Sequence, residues 1–153
     1  MADKIIRHDV IGDMVDSCML MRTRLVSRVI TNIYDDQLRP FGMNSAQFAL
    51  LVVISKLSPA TAAEIGRFHH QDKSTLTRNL KIMFAEGWII EDPALANGRS
   101  RPVVLTAFGR DLLHKVEPAW RAGQLQADRL LGNAGINAIT QIAGRILYPP
   151  KHA

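Results

Sequence analysis

The spacing of apolar residues changes character at Gly87, and that change limits the chain to few architectures. Before it, residues 72–88 read DKSTLTRNLKIMFAEGW, in which Leu76, Leu80 and Met83 fall within about 60° of one another on a helical wheel. After it, Trp88-Ile89-Ile90 and Pro102-Val103-Val104-Leu105 are short β-prone runs. Between the runs lies EDPALANGRSR, with a proline, an Asn-Gly turn signal and two arginines. The segment therefore predicts a helix that feeds directly into a two-stranded hairpin with a polar, basic tip.

Another helix start precedes this one. Thr61-Ala62-Ala63-Glu64 has the S/T-x-x-E spacing in which each end satisfies the other's free backbone amide. That helix is short, ending near Phe68, and His69-His70-Gln71 turns the chain toward Asp72. Two short helices joined by a tight turn form a helix-turn-helix, and with the hairpin they make a winged helix.

Upstream, Asn44-Ser45-Ala46-Gln47 resembles a capping box, and FALLVVISKL is apolar nearly all round, as in a helix at the centre of a fold. Ser58-Pro59 ends it. The N-terminal part predicts one long helix from Ile11 to Leu38, with Met14, Val15, Cys18, Leu25, Val29 and Ile33 on one buried face, broken by Arg39-Pro40-Phe41-Gly42. A long helix from about Ala107 carries Leu112, Leu113, Val116, Trp120 and Leu130, with a kink expected at Pro118. A break at Gly132 to Gly135 and a last helix over Ile136–Leu147 complete the reading. The expected class is mainly α with a small β-hairpin (α+β), in one domain over 1–153.

Composition excludes several classes. At 153 residues with 47% hydrophobic and 22% charged side chains, the chain is long enough for a core and is not of disordered type. No apolar run reaches the roughly 18 residues of a membrane span, and MADKIIRHDV lacks the pattern of an export signal. The single Cys18 excludes an internal disulfide and fits a reducing cytoplasm, where we expect the protein. A net charge of +5 favours an anionic partner. Yet residues 1–40 balance their charges and 41–60 carry only Lys56, so a nucleic-acid surface has to be assembled in space.

The helix at Asp72 offers such a surface. Opposite its apolar stripe lie Ser74, Arg78, Lys81 and Ala85, with Thr75 and Thr77 on the flanks and Lys73 at its start. Phosphates are contacted by Arg, Lys and hydroxyls, and base edges by Arg forks and small side chains that allow close approach. Arg99 and Arg101 alternate along the hairpin, so they point the same way, toward an adjacent minor groove. Other candidates are thinner. His69, His70, Asp72 and Glu64 lack a spacing that aims two ligands at one ion, so no metal or other cofactor is expected. No nucleophile elbow, phosphate-cradling loop or H-E-x-x-H occurs, which leaves an enzyme without support. Cys18 shares a periodic face with apolar neighbours, as a small buried hydrophobe would.

The segments LRPFGMNSAQFALL, TAAEIG, DKSTLTRNLKIMFAEGWI and GRSRPVVLTAFGRDLL, in this order, resemble MarR-type (multiple antibiotic resistance regulator) winged-helix repressors from Leu38 to Leu113. The most specific parts are S-T-L-T-R-N-L and L-T-x-x-G-R. The resemblance implies a homodimer, with a winged-helix DNA-binding lobe over about 44–106 and dimerisation helices over about 8–40 and 107–148. It implies a repressor of transcription, released from a pseudo-palindromic operator by a small phenolic or lipophilic anionic effector bound between the two parts. Lys73, Ser74, Thr75, Thr77, Arg78 and Lys81 would then meet the major groove, and Arg99 and Arg101 the minor groove or backbone. One departure is Asn97, where such wings often carry an acidic residue two before the arginine; Asp72 is left to hold Arg99. The alternatives are a winged-helix protein-interaction module without sequence-specific DNA binding and a redox-sensing regulator using Cys18.

Overall fold

The computed structural model describes residues 10–95 and 101–149. In chain order these form α1 (Val10–Ser17), α2 (Met19–Leu38), a short 3-10 turn (Arg39–Phe41), α3 (Ser45–Leu57), α4 (Ala62–His69), α5 (Lys73–Ala85), β1 (Ile89–Glu91), β2 (Val103–Leu105) and α6 (Ala107–Leu147). The mainly helical fold with one small hairpin agrees with the reading of the sequence.

Both expected capping boxes form. Asn44 accepts the Gln47 amide at 2.9 Å while the Gln47 side chain accepts the Asn44 amide at 3.0 Å. Glu64 likewise accepts the Thr61 amide at 2.7 Å. Each pair satisfies donors that a helix start leaves free, which fixes where α3 and α4 begin.

α3 lies at the centre, in contact with α2, α4, α5, α6 and β2. Its Leu50, Leu51 and Ile54 join Ile65 of α4, Met83 of α5, Ile89 of β1 and Val116 of α6 in one core in which all seven are fully buried. Each such side chain contributes about 1.5–3 kcal/mol relative to an exposed one. Val52 departs from the all-round burial expected of α3, at 43% exposed.

The hairpin pairs Ile89 with Leu105, Ile90 with Val104 and Glu91 with Val103, antiparallel. A third stretch, not foreseen from the sequence, adds to its edge: Ala60 donates to the Val103 carbonyl at 3.2 Å and accepts from the Val103 amide at 2.8 Å. That bridge ties the chain before α4 to the hairpin after α5, so the two halves of the lobe share a sheet.

Two expectations are corrected. The single helix over Ile11–Leu38 is two, because Cys18 is extended (φ −66°, ψ 112°) between α1 and α2. Ser17 donates its hydroxyl to the Asp13 carbonyl at 2.6 Å, the type of back-bonding that competes with the helical ladder and bends it. The apolar face expected to be buried is open in the single chain, with Met14 59%, Val15 55% and Leu25 57% exposed, and Cys18 is only half-buried. Pro118 lies within α6, and the backbone leaves helical geometry at Gly132 (φ 62°, ψ 172°), where the break was expected. α2 and α6 pack along each other, where Tyr34 donates to Gln124 at 2.7 Å and Gln124 donates to Asp128 at 2.9 Å. Burial, helped by the nearby Asp128 carboxylate, raises the Tyr34 pKa and keeps the phenol a donor.

Candidate nucleic-acid interface

The turn before α5 is built from local chemistry. His70 closes α4 in the left-handed region (φ 50°) and its amide bonds back to the Gly66 carbonyl. Asp72 then caps α5, accepting the Thr75 amide at 2.9 Å and the Ser74 hydroxyl at 3.1 Å. The Thr75 amide bond in particular holds the Asp72 carboxyl below its ordinary pKa. At the other end Gly87, at φ 70°, allows the Gly87 amide to reach Phe84 and the Trp88 amide to reach Met83. This is the paired closure that suits a glycine after a helix, and it aims the chain into β1.

The helix between these ends has two unlike faces. Leu76, Leu80 and Met83 are its buried residues, the three that the wheel selects. Lys73, Ser74, Thr77, Arg78 and Lys81 are exposed and Thr75 is half-buried. Among the described residues none of Lys73, Arg78 and Lys81 has an acidic partner within 4.0 Å. The Thr77 hydroxyl donates to the Lys73 carbonyl at 2.7 Å, which leaves its lone pairs outward as acceptors. A stripe of unneutralised cations with short hydroxyls, on a helix fastened from behind, can enter a groove lined by phosphates.

α4 contributes a residue that the sequence reading passed over. Arg67 lines an open groove of about 590 Å³ together with Gly66, Gln71, Lys73, Leu76 and Thr77. It thereby extends the basic surface across the turn. A lone arginine in a short helix carries no periodic signal; only the packing of Leu76 beneath Gly66 brings α4 and α5 close enough to align it with Lys73.

In the wing, Arg99 and Asn97 lie outside the described residues, and with them the expected contact between Asp72 and Arg99. Arg101 is described, and it is paired: its guanidinium lies 3.2 and 3.3 Å from the two Glu91 carboxylate oxygens. Glu91 was also missed, because the pairing register of a hairpin with a long loop is not legible before folding.

Partial burial, with His70 nearby, lowers the pKa of His69 and favours its neutral form. Among the described residues no group of three or more His, Cys, Asp or Glu side chains is placed to hold a metal ion, and no helix is long and apolar enough to cross a membrane. A smaller groove of about 330 Å³ lies between α3 and α6, lined by Phe48, Val52, Leu113, Glu117 and Trp120.

Comparison with known proteins places this geometry. The family model described as MarR family matches residues 43–100. The HTH-type transcriptional regulator YwoH of Bacillus subtilis is 31% identical over 80 residues, covering 52% of this chain and 58% of that protein. The HTH-type transcriptional repressor Rv2887 of Mycobacterium tuberculosis is 28% identical over 85 residues, 56% of this chain and 61% of its own. The matched region thus spans about three fifths of these curated relatives. The solved structure of Rv2887 with p-aminosalicylic acid superposes with a TM-score of 0.64 at 20% identity, covering 84% of this chain and 97% of that one. The M. tuberculosis transcriptional regulator MosR, solved in complex with DNA, is 34% identical with a TM-score of 0.70, over 82% of this chain and 93% of its own. Sequence and architecture agree along nearly the whole length of MosR, and the chain belongs to the MarR family.

Proposed function

We propose that the protein is a dimeric DNA-binding transcriptional repressor whose hold on its operator is set by a small ligand. The observation that carries this reading is the outward face of α5, where Lys73, Arg78 and Lys81 stand without acidic partners among the described residues while Leu76, Leu80 and Met83 fix the helix from behind. In the complex, Lys73, Ser74, Thr75, Thr77, Arg78 and Lys81 meet major-groove edges and phosphates, Arg67 adds a phosphate contact, and the wing with Arg99 reaches the flanking minor groove or backbone, Arg101 standing at its base. The DNA complex of MosR supports this use of the fold.

Dimerisation follows from the open apolar surfaces. Val10, Ile11, Met14 and Leu25 in the first two helices and Ile142 and Ile146 near the end of α6 are each 49% or more exposed. A second copy covering them brings two α5 helices to face one pseudo-palindromic site, with half-sites about one turn of DNA apart. A ligand that favours a different spacing of the lobes shifts the population away from the bound form. The groove between α3 and α6 suits an aromatic molecule, and Rv2887 with its bound p-aminosalicylic acid supports a small aromatic anion as effector.

Selection of bound fragments from a random DNA pool tests the reading. It should return one palindromic consensus, and affinity for it should fall steeply as salt rises. Recovery of unrelated fragments, bound with little response to salt, would overturn it.

A further inference from the structure

Arg101 is the described wing residue with a positive charge to offer DNA, yet the geometry points to a different role: the Glu91–Arg101 ion pair is a brace that ties the two sides of the hairpin together at the base of the wing. Leu105 and Val103 are buried on the inner face of β2, whereas Arg101, two residues before Val103 and outside the strand, is exposed, with Pro102 buried between them. Glu91 is the direct partner of Val103, hence on that same inner face. Glu91 and Arg101 stand at the outer end of the paired strands, where both side chains are solvent-exposed. Their positions are diagonal across the ladder, a separation that long side chains span.

The backbone beside the pair is also fixed. The Asp92 amide donates to the Pro102 carbonyl at 2.8 Å, and Asp92 turns the outgoing chain by accepting the Ala94 amide at 2.9 Å. With β1 and β2 only three residues long each, the ladder by itself constrains the hairpin little. The ion pair adds a side-chain link just beyond the last core-facing residue, where leverage on the wing is greatest.

The consequence for DNA affinity rests on the proposed function; the brace itself does not, and the test separates them. General electrostatics says that removing an acidic side chain beside DNA tightens binding. The brace requires the opposite sign. Glu91→Gln should weaken operator binding by up to about fivefold, the scale of an exposed pair. Its salt slope should stay at the wild-type value, because no phosphate contact is lost. Combining Glu91→Arg with Arg101→Glu should restore affinity to near wild type. Hydrogen exchange at the Asp92 amide of the DNA-free protein should quicken in Glu91→Gln and recover in the charge-swapped pair. Equal or tighter binding by Glu91→Gln, or a swapped pair no better than Arg101→Gln, would mean that Arg101 contacts DNA directly. Unchanged exchange at Asp92 would overturn the brace even if no operator were found, whereas absence of DNA binding with quickened exchange would overturn only the repressor.

Discussion

Arg78 and Lys81 stand three residues apart on the same open face of α5, and the two should behave differently. Arginine can fork onto a base edge, whereas lysine is a point charge suited to phosphate. Arg78→Ala is expected to cost about 1–3 kcal/mol on the selected operator and to relax sequence preference. Lys81→Ala should weaken all sequences alike and lower the salt slope by about one; fluorescence anisotropy across a salt series measures both. The two carboxylates at helix starts make a separate prediction. Glu64 and Asp72 both have lowered pKa values, chiefly through the backbone amides of Thr61 and Thr75. A depressed carboxyl contributes stability that is present above its unfolded pKa and is lost as pH falls through the folded one. The wild type should therefore lose stability in acid, and Glu64→Gln with Asp72→Asn should flatten that acid limb in urea melts taken at several pH values. These caps were legible in the sequence because their partners lie three residues away. Arg67 and the Glu91–Arg101 pair were not, since each depends on which neighbour the fold supplies.

At the scale of elements, the buried side of α5 and the start of α6 hold the reading surface in place. Leu80 is 7% exposed and packs in the central core. Leu80→Ala should cost about 2–5 kcal/mol through lost burial and a residual cavity, and should lower Tm by several degrees. Gly109 has less tolerance in the other direction. An added Cβ there would overlap the Trp88 carbonyl, part of the backbone that joins α5 to β1. Thr106 lies at the same junction, donating to the Gly87 carbonyl at 2.7 Å and accepting the Gly109 amide at 2.9 Å. Gly109→Ala should therefore destabilise the lobe by at least the 1–3 kcal/mol typical of overpacking, read by thermal melting, and should weaken DNA binding through a displaced wing. Helix positions were readable because amphipathic spacing is a local property. The division of the first helix at Cys18 was not, because no proline or glycine marks it.

For the whole molecule, the decisive quantity is the area of apolar surface left open. Leu25 at 57% and Val29 at 37% exposed sit on α2, away from the core of the winged-helix lobe. Leu25→Glu with Val29→Glu should leave the folded lobe intact, as judged by circular dichroism, while shifting sedimentation from dimer to monomer. Operator affinity should fall by orders of magnitude, because the two half-site contacts no longer reinforce each other. A doubly substituted protein that stayed dimeric would move the interface elsewhere.

Local chemistry, written in the order of residues, determined the capped helices, the turn at His70 and the two faces of α5. Each needs only neighbours within one helical turn, so the sequence by itself carries them. The tertiary structure decided the rest. It set the Ala60 bridge at the edge of the hairpin, the alignment of Arg67 with Lys73, and the pairing of Arg101 with Glu91. It also left the face of α1 and α2 uncovered, which apolar periodicity alone reads as a buried core. Periodicity reports that a surface seeks to leave water; whether its own chain or another covers it depends on distances that only the folded molecule fixes.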